Sequence, residues 1–102
     1  MNPSNQELLA KLNLETGRLT WREVERHFAR GVVVKVGAQL DLVEVATHMA
    51  SDDKAVMTRW LESGQVARAA TDDAIGWNDR QSTFWAVVVA PWVLVQEIRK
   101  PQ

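Results

Sequence analysis

The sequence predicts an α+β fold, with about five short helices and a small antiparallel sheet in a winged-helix-like arrangement. Three observations carry the expectation. Apolar residues recur at helical spacing in several segments between Leu8 and Trp77. Two β-branched runs, residues 32–36 and 84–98, read as strand. From Trp21 onward the order contains the succession helix, strand, helix, tight turn, helix, strand, strand, which is that of a winged helix.

Near the N-terminus, Leu8, Leu9 and Leu12, with Glu7 and Lys11 spaced i,i+4, predict an amphipathic helix ending before Gly17. A second helix follows almost at once. Thr20 and Glu23 form a capping box, Trp21, Val24 and Phe28 share one side, and Gly31 supplies the stop. "VVVKV" between Gly31 and Gly37 reads as a strand. Asp41 and Glu44 open a third helix that buries Leu42, Val45, Ala46 and Met49. "SDD" at residues 51–53 restarts the chain in a fourth helix, with Val56, Met57, Trp60 and Leu61 turned inward and Gly64 ending it. "QVARA" is a short strand, and "TDD" at residues 71–73 opens a fifth helix holding Ala74 and Trp77.

The most apolar stretch, "FWAVVVAPWVLVQEI", is too short for a membrane span: a spanning helix needs about 20 apolar residues, and Pro91 interrupts this one. Its valines and aromatics suit a strand covered on both faces, with a break or kink at Pro91. No membrane association is expected.

At 102 residues the chain has the length of one domain, residues 1–102, and its 46% apolar and 25% charged content is that of a globular protein. Without cysteine there is no disulfide, thiolate metal site or cysteine nucleophile, which points to a reducing, cytoplasmic setting. "MNPSNQELLAKLN" has neither a basic leader nor an apolar core, so no export signal is expected.

The blocks "LDLVEVA", "DDKAVMTRWL" and "FWAVVVAPWVLVQE" resemble a small bacterial family known only as a domain of unknown function. The resemblance runs from about residue 12 to residue 97 and is most specific at "APWVLVQ". It implies a bacterial, single-domain, soluble protein and brings no activity, cofactor or site residue with it.

Catalytic equipment is sparse. His27 and His48 lack a surrounding motif, and His48 with Asp52 supplies too few ligands for a closed metal site. The Asp52–Asp53 and Asp72–Asp73 pairs are explained by helix capping and the helix dipole. There is no phosphate-binding loop, and no serine has a nucleophile-elbow context. No enzyme, cofactor or metal is expected.

Two surface features remain. Arg22, Arg26 and Arg30 recur every fourth residue, with Arg18 just before them, as a candidate basic stripe; the plainer reading is a solvated face shared with Glu23 and Glu25. Trp85, Pro91 and Trp92 are a candidate partner surface if a bulge at Pro91 turns both indoles to one side, against simple burial. The sequence therefore predicts a non-enzymatic protein-interaction or regulatory module, binding a protein or a second copy of itself. The alternative is a winged-helix DNA-binding protein. The net charge of -1 and the acidic start of the fourth helix disfavour nucleic acid.

Overall fold

The computed structural model describes residues 7–8, 11–12 and 15–98. Glu7, Leu8, Lys11, Leu12 and Glu15 are helical, as the apolar spacing requires, while Leu9 lies outside the described residues. The Thr16 hydroxyl donates to the Leu12 carbonyl at 2.7 Å, closing that helical segment before Gly17. Then come β1 (Gly17–Thr20), α1 (Trp21–Ala29), β2 (Val33–Val36), α2 (Leu42–Ala50), α3 (Lys54–Ser63), β3 (Val66–Arg68), α4 (Thr71–Arg80), β4 (Thr83–Val89) and β5 (Trp92–Ile98).

Local chemistry sets most of these boundaries. Thr20 caps α1, its hydroxyl accepting from the Glu23 amide at 3.4 Å. At the other end Gly31 takes φ 74°, and the amides of Gly31 and Val32 return to the carbonyls of Phe28 and His27. This is a Schellman stop, which favours glycine because a Cβ is strained in the left-handed region. Asp41 caps α2 through the amides of Val43 and Glu44 at 2.9 and 3.1 Å. Asp53, rather than Asp52, caps α3 through the Val56 amide.

The five strands form one sheet in the order β1-β4-β5-β2-β3. Apolar residues alternate across it, because successive strand side chains point to opposite faces. On the first face Val34, Val36, Val66, Val87 and Leu94 meet Leu12 and the α2 residues Leu42, Val45 and Ala46. On the second face Val33, Phe84, Ala86, Val93 and Val95 meet Trp21 and Val24 of α1 and Trp77 of α4. Trp77 is the hub, with ring centroids 5.8 Å from Trp21 and 5.0 Å from Phe84.

Several expectations are corrected. The arrangement is not that of a winged helix: α1 and the α2–α3 pair lie on opposite faces of the sheet instead of packing into one bundle. Nor is the sheet small and antiparallel. The run 84–98 folds back as a hairpin about Ala90–Pro91, whose peptide is cis, and β5 inserts between β4 and β2, parallel to β2. Residues 17–20, read as a link between helices, are the edge strand β1. Four helices are bounded among the described residues, and the first of the five expected falls on residues 7–15, of which 9–10 and 13–14 lie outside the described residues. Leu61, placed inward by the sequence, is 53% exposed, because the inward stripe of α3 is Val56, Met57 and Trp60 and all three are only partly covered.

Candidate interaction site

The charged side chains that could do chemistry are engaged with one another. Beneath α4 lies a groove of about 390 Å³, lined by Lys35, Asp73, Trp77, Arg80 and Glu97 among others. Lys35 stands mid-strand on the second face, and its amine meets Asp73 at 2.9 Å. The Asp73 carboxylate also accepts from the Ala70 amide at 2.8 Å. At the far end of α4, Arg80 donates twice to Glu97, each time at 3.1 Å, and the Ser82 hydroxyl also donates to that carboxylate. Two ion pairs thus tie α4 to β2 and β5. Gly76 lets the Arg80 chain lie back along its own helix, since a Cβ there would stand 3.0 Å from Nη1.

The α2–α3 corner carries a second cluster. His48 Nδ1 lies 3.0 Å from Asp53 Oδ2, and its ring meets Trp60 edge-on with centroids 5.4 Å apart. The His48 hydrogen bond, then the Val56 amide, hold the Asp53 carboxyl below the usual range. His48 and Asp52, weighed as metal ligands, are not brought together; Asp52 has φ 56° and its carboxylate lies 4.0 Å from Lys54. Among the described residues no group of three or more His, Cys, Asp or Glu could hold a metal ion.

Trp85 and Trp92 do face the same side of the sheet, through the hairpin turn rather than a bulge. Trp85 pairs with Gln96 and Trp92 with Val89, so the indoles stand four residue pairs apart, about 13 Å along the strands. They form no shared aromatic surface. Trp85, 40% exposed, sits under the Arg18 guanidinium, whose carbon is 4.8 Å from the ring centroid. Trp92 is half-buried with Arg68 over its ring at 5.4 Å, and Pro91 is exposed in the turn. Stacking on Trp85 also takes Arg18 away from the stripe. Arg22 and Arg26 have no ion-pair or hydrogen-bond partner among the described residues, whereas Arg30 Nη2 donates to His27 Nδ1 at 2.9 Å.

A feature absent from the sequence reading is where the sheet runs past its own edge. The pairing of β1 with β4 stops at Gly17 opposite Ala86, yet β4 continues through Val87, Val88 and Val89. Among the described residues these three pair with β5 alone. Leu12 lies in the first-face core, and Glu15 is helical rather than paired with β4. The helices of the second face reach as far as Ala86, leaving Val88 57% exposed. Beside it is a hollow of about 170 Å³ lined by Glu15, Gly17, Leu19, His27, Ala86, Val87, Val88 and Val93.

Residues 7–97 match the model of the family described as protein of unknown function (DUF2288). The chain belongs to this family. The NMR solution structure of PA1075 from Pseudomonas aeruginosa is 43% identical to it, over 98% of this chain and 93% of that one, with a TM-score of 0.81. No curated protein matches the chain. The blocks that carry the DUF2288 resemblance fall on α2, on α3 and on the β4–β5 hairpin. Among the described residues of this DUF2288 member, no helix is long and apolar enough to cross a membrane.

Proposed function

We propose that the protein is a small, non-enzymatic interaction module of the bacterial cytoplasm that binds a protein partner at the sheet edge beside the β4–β5 hairpin. The observation that supports this reading is the end of β4, where among the described residues Val87–Val89 pair with β5 alone and Val88 is 57% exposed. An open strand edge offers backbone donors and acceptors to another chain, and folds normally cover, shorten or charge such edges. Among the described residues no strand covers this one, and Glu15 lines the hollow beside it. The pairing of Lys35 with Asp73 and of Arg80 with Glu97 supports a structural rather than catalytic role for the groove beneath α4.

Affinity capture from a bacterial lysate, with and without nuclease, tests the reading. A protein partner retained after nuclease treatment is the expected result; retention of nucleic acid alone would overturn it. The second reading, DNA binding, is favoured only by Arg22 and Arg26, which have no partner among the described residues. Without a winged-helix scaffold to present a recognition helix, it reduces to contacts with backbone phosphates.

A further inference from the structure

We propose that the groove beneath α4 is a binding site for a small zwitterion of the α-amino acid type, its carboxylate received by Arg80 and Lys35 and its ammonium by Asp72. The proposal goes beyond the interaction-module reading and does not rest on it.

Both cations are held in place with donors to spare. Arg80 presents Nε and Nη2 to Glu97, which leaves Nη1 without a hydrogen-bond partner among the described residues and lying over Gly76, where an added Cβ would stand 3.0 Å from it. Lys35 uses one donor on Asp73 at 2.9 Å, and an ammonium carries three. The Asp72 carboxylate, on the same groove, has no partner among the described residues. The ion pairs fix the two cations, and a ligand meets the edges that those pairs leave unused. Spacing selects its type. Asp72 and Gly76 are four apart on α4 and Asp73 and Gly76 three apart, so the Asp72 carboxylate, the Lys35 amine and the Arg80 guanidinium gather within one turn. Such helix positions stand roughly 5–6 Å apart, a distance that an ammonium and a carboxylate borne on one carbon, each with its hydrogen bond, can span. Charge points the same way. Lys35 and Arg80 face Asp72, Asp73 and Glu97, two cations against three carboxylates, so a plain anion meets surplus acid and a plain cation competes with two side chains already seated. A zwitterion adds no net charge. Val36, Trp77 and Val95 supply an apolar wall for its side chain, and about 390 Å³ lies within the roughly 300–1,000 Å³ of small-molecule sites.

The test follows backbone amide shifts of the full chain during titration with leucine. N-acetylleucine, which lacks the ammonium, and leucinamide, which lacks the carboxylate, are the controls. The expected result is a dissociation constant on the order of 1 mM or tighter, shifts centred on Lys35, Asp72, Gly76 and Arg80, and at least about tenfold weaker binding of either control. Asp72→Asn and Gly76→Ala should each weaken leucine binding by about tenfold or more, the second because its methyl group displaces Nη1. Alanine favours the interior of α4, so loss of binding by Gly76→Ala at an undiminished melting temperature separates ligand contact from stability. Three outcomes would overturn the proposal: no shifts with leucine, alanine or phenylalanine at about 10 mM, ten times the expected constant; equal binding of either control; or unchanged leucine binding by Gly76→Ala. None of them bears on capture of a protein partner at the β4 edge, so this site and the interaction-module reading fail separately.

Discussion

At the scale of single residues, the aromatic hub carries more of the fold than any charged group. Trp77 is 5% exposed and touches both Trp21 and Phe84, so Trp77→Ala should destabilise the protein by about 3–5 kcal/mol in urea denaturation. Trp60, a core residue by its sequence spacing, sits at the rim against His48. Its alanine variant should cost only about 1–2 kcal/mol by the same measurement. Asp53 supplies a pH dependence whose sign is fixed by its partners. Its carboxyl is held below the ordinary value of about 3.9, so its contribution is fully present above that pH and lost as pH falls through the lower, folded-state value. Asp53→Asn should therefore lower the melting temperature at neutral pH and flatten its decline below about pH 4, as a series of thermal melts will show.

At the scale of elements, two glycines separate opposite effects of one substitution. Gly64 ends α3 at φ 79°, where an L side chain is strained; Gly64→Ala should cost about 1 kcal/mol although nothing stands within 4 Å of the added carbon. Gly76 lies inside α4, where alanine is the better helix former by about 1 kcal/mol. The price is displacement of the flexible Arg80 tip from Glu97, and that pair contributes little because Arg80 is 55% exposed. Gly76→Ala should thus raise the melting temperature, while Gly64→Ala lowers it. The helices and their caps were legible in the sequence for the same reason that these effects are local. Thr20, Asp41, Gly31 and Gly64 act on backbone groups within four residues of themselves, so their roles follow from spacing alone. Strand β1 was not legible. Four residues, "GRLT", have no periodicity to read, and they become a strand only because Phe84 and Trp85 lie opposite Leu19 and Arg18.

At the scale of the whole molecule, electrostatics decides between partners. The 12 basic and 13 acidic residues leave no net positive field, and Arg18 is held on Trp85 away from α1. Duplex DNA should bind with a dissociation constant on the order of 10 μM or weaker at physiological salt. What binding remains should fall steeply with added salt and should be largely removed by Arg22→Ala with Arg26→Ala, while Lys54→Ala changes little. A fluorescence anisotropy titration against salt measures all three. Nanomolar, sequence-specific binding dependent on Lys54 or Arg59 would restore the DNA-binding reading.

By itself the sequence determined the α+β class, the four bounded helices with most of their buried positions, the strand character of residues 84–98 and the break at Pro91. These depend on periodicity and on backbone chemistry within a few residues. Tertiary structure alone decided that β5 lies parallel to β2, that the helices divide between two faces, and that β4 runs past the end of β1. Strand pairing joins residues far apart in the chain, and side-chain alternation is the same whichever neighbour a strand acquires. Val87 and Val88 both read as core in the sequence, yet only Val87 is buried, and Val88 is left exposed beyond the ending of β1 opposite Ala86.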